Sequence, residues 1–428
     1  MQVSGHHSRH VIGALVVTTG AGLALAPAAL AASAHHTQSA HDAKPAHHAT
    51  RQGHSSRIAG VGRYDQRNLV SDTGGTGVLR DPDLINGWGI SFGPRTPAWV
   101  SDMGTSKASV YAGGVNGSAI TKAGSFSVPG GPTGQVFNGT TGFPVRSGSA
   151  SGPSTFLFGT VAGTIDGWNP NVPAAGSTDA QTAVAVPGAE FTGLAINGNR
   201  LYAADFHNGR VDVWDGAWKA INKPGAFRDS RIPRGYAPFG IESVGNKVVV
   251  TYAKQDARAQ LDVPGAGHGF VDVYTTSGHL QTRLASRGTL NSPWGVALAP
   301  KGFGKASGDM LIGNFGNGRI NVFNARSGRF DGQLAGANGK PVTIPGLWAI
   351  KFGNGLTGAP NQLLFAAGPG QGQHGLFGEL TAATKGKTPT ATTPSTGGTG
   401  TTTPPAKPGA PAQPTAPKTP TAPPTYMP

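Results

Sequence analysis

The sequence predicts an all-β chain built from one repeated unit, and three observations predict it. A Gly-bearing apolar run recurs along the chain: Trp88-Gly89-Ile90, Thr133-Gly134-Gln135, Thr192-Gly193-Leu194, Phe239-Gly240-Ile241 and Trp294-Gly295-Val296, with Trp348-Ala349-Ile350 as the sixth. From Gly89 to Ala349 the steps are 45, 59, 47, 55 and 54 residues. Each run is followed by further short apolar segments separated by turn residues. Charged residues are only 13% of the chain while Gly numbers 68. Long amphipathic helices need more charge than that on their wet faces. A period near 50 with three to four short strands per unit is the signature of a β-propeller, here of six blades.

The chain divides into four parts. Residues 1–31 read as a signal peptide: an apolar stretch follows Arg9 and ends in Ala29-Leu30-Ala31. A membrane anchor is the rival reading, opposed by Gly13, Gly20, Gly22 and Pro27 within the stretch. Residues 32–63 form a disordered linker carrying His35, His36, His41, His47, His48 and His54. These histidines either bind divalent metals or titrate as a solvated linker. Residues 64–381 form the propeller. Residues 382–428 are Thr, Pro, Ala, Gly and Lys almost throughout, too little apolar surface to offset the entropy of ordering. An exported protein that is extracytoplasmic, and that the tail could tie to a cell wall, fits this layout.

Within a unit the strands follow from alternation and turn chemistry. In the third unit a strand over 191–196 turns at Asn197-Gly198-Asn199 into Arg200–Asp205. His207-Asn208-Gly209-Arg210 then leads into Val211-Asp212-Val213-Trp214-Asp215. Asn-Gly favours a tight hairpin, whose central residues need positive φ. The fifth unit repeats the pattern at Met310–Asn314 and Ile320–Asn324. The sixth lacks an outer strand of its own, and Arg67-Asn68-Leu69-Val70-Ser71 has no other partner. An N-terminal strand therefore completes the last blade and closes the ring, removing an exposed sheet edge.

Charge and composition narrow the partners. The formal charge is +14. Four lysines of the tail and a net three charges near the N-terminus leave about +7 for the propeller, with no Lys/Arg cluster apparent. No basic stripe interleaved with aromatics appears, so nucleic acid is not expected as a partner. Cysteine is absent, which excludes disulfides and thiolate chemistry. No transmembrane segment is expected after processing, and the protein reads as a monomer.

The letters Ala204-Asp205-Phe206-His207-Asn208-Gly209-Arg210-Val211-Asp212-Val213-Trp214 resemble an NHL repeat, as do Gly313 to Phe323. The stretch from Asn68 to Glu379 is similar to a bacterial family of uncharacterised exported proteins. Asn68-Leu69-Val70-Ser71-Asp72, Asp83-Leu84-Ile85-Asn86-Gly87-Trp88-Gly89 and Thr251-Tyr252-Ala253-Lys254-Gln255-Asp256 carry that resemblance. It implies a secreted propeller with no established activity.

In this fold the loops between second and third strands share a face with the loops between blades. The residues ending the second strands should then point at the channel mouth: Asp102, Thr160, Asp205, Tyr252, Asn314 and Ala367. Asp102, Asp205 and Asn314 fall in alternate blades. They could ligate a hard cation such as Ca²⁺, or each could accept hydrogen bonds within its own turn. His207 stands beside them. The fourth unit's loop is expanded, and it brings Lys254 and Asp256 over the mouth with Tyr252 on the wall beneath, or else folds outward as a passive insertion. Trp88, Trp294 and Trp348 recur at the start of first strands, for packing or for stacking on a sugar.

No Gly-x-Ser-x-Gly elbow, no His-Glu-x-x-His and no cysteine nucleophile occurs. Glu190, Glu242 and Glu379 are the only glutamates. The sequence thus favours a non-catalytic binding scaffold whose channel mouth meets a small molecule, glycan or protein. A Ca²⁺-dependent lactonase-like hydrolase is the alternative, with Asp102, Asp205 and Asn314 as ligands and Glu242 or Asp256 as base.

Overall fold

The computed structural model describes residues 58–383. The segments read as signal peptide, most of the linker and nearly all of the tail lie outside the described residues. The described chain is a six-bladed propeller.

Blade one is Gly87–Ser91, Ala98–Asp102, Lys107–Gly113 and Ile120–Ser127, each strand antiparallel to the next. Blade two is Pro132–Phe137, Phe156–Thr160, Thr164–Trp168 and Gln181–Ala185. A hairpin of Pro144–Ser147 and Ala150–Pro153 is inserted between its first two strands. Blade three has only three strands, Phe191–Asn197, Arg200–Asp205 and Arg210–Asp215. Blade four is complete, with Tyr236–Val244, Lys247–Lys254, Gly269–Thr275 and Leu280–Ser286. Blade five is Pro293–Leu298, Met310–Asn314, Ile320–Phe323 and Phe330–Gly336.

Blade six has Leu347–Phe352, Leu363–Ala367 and Leu376–Ala382 from the C-terminal side, and Gly60–Ser71 as its outer strand. The register sets Gln66 against Leu380 and Ser71 against Leu376, so the ring closes as the sequence predicts. The closing strand begins at Gly60, seven residues before the expected Arg67 and four before the expected start of the propeller, because Gly60 and Gly62 offered no side-chain alternation to read. Its first residues run parallel to the outer strand of blade five, Gly60 against Gln333 and Val61 against Leu334. The closing strand therefore joins two blades. Tyr64 anchors it, buried, with its hydroxyl donating to the Phe303 carbonyl at 2.9 Å.

The recurring glycine has a steric cause. First strands of successive blades lie side by side around the axis, and a Cβ at Gly134 would lie 2.3 Å from the Leu194 nitrogen of the next blade. At Gly240 it would lie 2.1 Å from the Trp294 carbonyl oxygen. Only glycine permits that approach. Outside this ring the blades are held by apolar seams, such as Leu157, Phe191 and Trp214 between blades two and three. Between blades three and four Tyr202, Val250 and Tyr274 do the same.

The third strands repeat a buried polar residue: Ser109, Asp166, Asp212, Asp272 and Asn321 occupy equivalent positions in blades one to five. In the complete blades two, four and five it is tied to the outer strand. Thr182 Oγ1 donates to Asp166 at 2.7 Å, Arg283 Nε to Asp272 at 3.0 Å and Gln333 Nε2 to Asn321 at 2.9 Å. The Asp of the Val-Asp-Val-Trp pattern is thus a blade-internal tether. Among the described residues no helix is long and apolar enough to cross a membrane.

Candidate functional site

The side chains expected at the channel mouth do not converge there. Asp205 is fully buried and accepts from the backbone N–H groups of Glu190 and Asn208 at 3.3 and 3.2 Å, and from Asn208 Nδ2 at 2.7 Å. Asn314 accepts from the Asn291 N–H and donates to the Thr289 carbonyl. Both stitch their own turn to the preceding inter-blade connection. Asp102 is also fully buried. Neither of its oxygens has a hydrogen bond of ordinary geometry, and burial pushes its pKa well above the usual range, opposed by the nearby Ser109 hydroxyl. Among the described residues no group of three or more His, Asp or Glu is placed to hold a metal ion.

The pleat explains the placement. In blades one, three and five the residue that ends the second strand turns into its blade, and the one after it faces the centre. Met103, Phe206 and Phe315 occupy that next position and join Trp88, Phe239, Trp294 and Trp348 in one cluster on the axis. Trp88 and Trp348 stack with ring centroids 3.5 Å apart, and Phe315 stacks on Trp348 at 3.9 Å. The recurring tryptophans therefore pack on each other across the ring, and the aromatic cluster fills this end of the channel. Beneath it remains a cavity of ≈ 20 Å³ lined by residues of all six blades, among them Gln135, Leu194 and Ile350. Such a space suits about one water molecule. At the far end Lys351 Nζ lies 3.1 Å from Glu242 Oε2.

The expanded loop of blade four leans on blade three. Gln255 Nε2 donates to the Phe206 carbonyl at 2.6 Å, and His207 Nδ1 lies 3.2 Å from the Ala259 carbonyl. Asp256 closes its own turn, accepting from the Gln260 and Leu261 N–H groups. Burial raises its pKa, but those N–H groups outweigh burial and hold it below the ordinary value. Lys254 ends the second strand of the blade and is half-buried. Tyr252 sits in the seam between blades three and four rather than on the channel wall; its hydroxyl is 2.6 Å from that of Tyr274. Asp262, in the same loop, is buried, and burial lifts its pKa to about 6.

A cavity opens elsewhere, between blades three and four. It measures ≈ 500 Å³ and is bounded by Arg210–Asp212 on one side and by the connection from Asn222 to Tyr236 on the other. That volume lies in the range of ligand sites. The cleft exists because blade three lacks a regular outer strand. Lys219–Asn222 begins one: the Ile221 N–H donates to the Val213 carbonyl at 2.8 Å, and the Val213 N–H to Asn222 Oδ1 at 2.7 Å. The chain then leaves the sheet. Its path is fixed at three points, by Trp218 Nε1 donating to the Pro144 carbonyl of the inserted hairpin, by the Phe227 N–H donating to Gly278, and by an ion pair of Asp229 with Arg283. Trp218 and Phe227 both hold positive φ, 65° and 54°, a costly state for bulky side chains.

The cleft is apolar at its base and cationic at its rim. Phe227, Ile232, Tyr236 and Tyr252 form the base, and Arg210, Lys223, Arg228 and Arg234 the rim. Arg210 is paired with Asp212 at 2.8 Å. Lys223, Arg228 and Arg234 are exposed and form no ion pair among the described residues. Burial raises Asp229, but the hydrogen-bonded Arg231 and the Arg283 charge outweigh it and hold the carboxylate ionised. The expectation of a propeller without a Lys/Arg cluster is corrected here. Within residues 219–234, Arg228, Arg231 and Arg234 recur every third residue and, with Lys219 and Lys223, outnumber one acid, Asp229. That spacing was visible in the sequence as Arg-x-x-Arg-x-x-Arg, but it falls in a connection with no strand pattern to draw attention to it.

No family model matches the chain, so the NHL likeness rests on the quoted residues alone. Uncharacterized protein R648 of Acanthamoeba polyphaga mimivirus is 32% identical over 330 residues, 73% of this chain and 78% of that protein. Uncharacterized protein L690 of the same virus is 32% identical over 326 residues, 73% of this chain and 84% of that protein. Among solved structures, a streptogramin B lyase aligns with a TM-score of 0.42 and 12% identity over 75% of this chain and 97% of that one. A likeness of that size bears on neither ligand nor reaction. Identity at the level of R648 and L690 does establish kinship, and the chain belongs to the family of these uncharacterized mimivirus proteins.

Proposed function

We propose that the protein is a non-catalytic binding protein whose ligand site is the cleft between blades three and four, and that its ligands are anionic. One observation carries the reading: a ≈ 500 Å³ cleft with an apolar base whose rim presents Lys223, Arg228 and Arg234 without counter-ions among the described residues. Guanidinium groups at such a rim suit carboxylate or phosphate oxygens, which they bind in bidentate fashion. The aromatic cluster leaves the channel mouth little room for a ligand, which moves the reading away from Asp102, Asp205 and Asn314. Export, as read from residues 1–31, would place the site on the outer side of a membrane.

Calorimetry with citrate, inorganic phosphate and a uronic-acid oligosaccharide tests the reading. The expected result is binding of at least one, weakened about tenfold or more by Arg228→Ala with Arg234→Ala and weakened by salt. Absence of binding, or binding that the double variant leaves unchanged, would overturn it.

A hydrolytic role is the second reading, and one observation favours it. Asp262, on the expanded loop, is buried with its Oδ2 lacking a hydrogen-bond partner among the described residues, and burial lifts its pKa to about 6, toward the range of a general base. In the Ca²⁺-dependent form, Asp102, Asp205 and Asn314 would leave their turns to take the ion. Calorimetry with Ca²⁺ before and after Asp205→Ala checks this form: heat that vanishes in the variant supports it, and no heat at millimolar Ca²⁺ removes it.

A further inference from the structure

The cleft has a feature that an anion site alone does not need. One of its walls is the bare outer edge of a β-strand. Along the third strand of blade three, the N–H and C=O groups of alternate residues face outward. Asp215 is paired with Lys219, and Val213 with Ile221 and Asn222. The next outward pair belongs to Val211, and among the described residues neither its N–H nor its C=O has a hydrogen-bond partner. In blade four the equivalent residue, Val271, lies against Ala285 of a complete outer strand. In blades one, four and five the outer strands run eight, seven and seven residues, Ile120–Ser127, Leu280–Ser286 and Phe330–Gly336. In blade three, Lys219–Asn222 fills the first part of that place, and the remainder is the cleft.

We infer that this vacant half-strand accepts an extended acidic segment of a partner protein, which adds to Val211 as the missing part of the fourth strand. The inference rests on the anionic-ligand reading above and names the partner class for the same site. Main-chain hydrogen bonds to an open edge supply affinity in such strand addition, and side-chain pockets supply selectivity. The gap admits about three extended residues, roughly 10 Å of chain. One face of the incoming strand meets Phe227, Ile232 and Tyr236; its other groups meet Lys223, Arg228 and Arg234. Charge selects the partner. The chain's own outlying segments have the wrong sign, since residues 384–428 contain four lysines and no acid, and residues 1–57 set Asp42 against Arg9, Lys44, Arg51 and Arg57.

The test uses the full chain and an array of capped hexapeptides in which Asp or Glu alternates with Val, Thr or Tyr, with Lys versions as controls. The expected result is binding of acidic peptides alone. N-methylation of a residue whose N–H faces Val211 should weaken the best binder about tenfold or more, while N-methylation of the next residue should not. Val211→Pro, which removes an N–H pointing into the cleft, should weaken it similarly in protein of unchanged melting temperature; the methylated peptides carry the same test should that variant fold poorly. Acidic peptides that bind no better than Lys peptides, or an affinity indifferent to N-methylation at every position, would overturn strand addition. If citrate binds and no acidic peptide does, the anion site stands and strand addition falls; if neither binds, both fall. Acidic-peptide binding that appears only on deletion of residues 384–428, or dimers that acidic peptides dissociate, would assign the edge to this chain instead.

Discussion

The centre of the ring and the seam between blades three and four solve opposite problems with the same strands. At the centre, six first strands approach so closely that five carry glycine, and the residues facing the axis at one end are aromatic. Polar demand there is small: Gln135 Nε2 donates to the Gly89 and Trp99 carbonyls, and Lys351 meets Glu242 at the far rim. At the seam, an outer strand stops partway and leaves a cleft bounded by a bare edge and cationic side chains. A ring closely packed at its axis has its vacancy at its periphery. The lesson is that a propeller's symmetry points to the channel, whereas binding chemistry follows the place where the repeat is broken.

The largest effect expected concerns closure. Removing residues 1–57 should leave the melting temperature of the propeller unchanged, whereas removal through Ser71 strips blade six of its outer strand and unpins Tyr64 from Phe303. The second truncation should cost several kcal/mol or abolish soluble expression; equal melting temperatures would contradict closure. Next is the centre. Trp348→Ala removes a buried ring stacked on both Trp88 and Phe315, and should cost about 3–5 kcal/mol by denaturant titration while leaving ligand affinity at the seam unchanged.

A smaller effect of opposite sign belongs to Asp262. Its folded pKa of about 6 lies above the ordinary 3.8 because of burial. The folded state holds that proton more tightly than the unfolded one, so its contribution to stability is intact below about pH 4 and is lost as pH climbs through about 6. Asp262→Asn should therefore stabilise the protein at pH 7 by up to about 3 kcal/mol and do nothing at pH 4. A variant that melts lower at pH 7 would contradict the assignment. Smallest is the far rim. Glu242→Gln breaks a half-exposed ion pair with Lys351 and should shift stability by about 0.5 kcal/mol, diminishing in salt. A larger loss would mean the pair closes the channel against water.

Much of this was legible beforehand for one reason: repetition. The glycine carried by five of the six first strands and the Asn-Gly turns of units three and five mark positions that the repeat solves alike, and Leu69-Val70 stood out as apolar residues without a partner. The site was less legible because it is where repetition fails. Asp205 and Phe206 are adjacent, and only the pleat decides that the aromatic faces the axis and the carboxylate its own turn. Trp88, Trp294 and Trp348 advertise burial but not direction. The stretch from Gly216 to Gly235 carries apolar residues at Trp218, Ile221, Phe227 and Ile232 with no strand period, and so it hid both the missing strand and the arginines that line the gap.

Amide hydrogen exchange at single-residue resolution measures whether blade three has a vacant strand position beside Val211. Val211 and Val271 occupy equivalent places in neighbouring blades, one facing the cleft and the other facing Ala285. The Val211 amide should exchange at least about a hundredfold faster than that of Val271 in the unliganded protein, as an unpaired edge group does. A bound acidic peptide should slow Val211 and leave Val271 alone. Equal protection of the two amides in the unliganded protein would mean the edge is already paired, and the cleft would then hold no strand to complete.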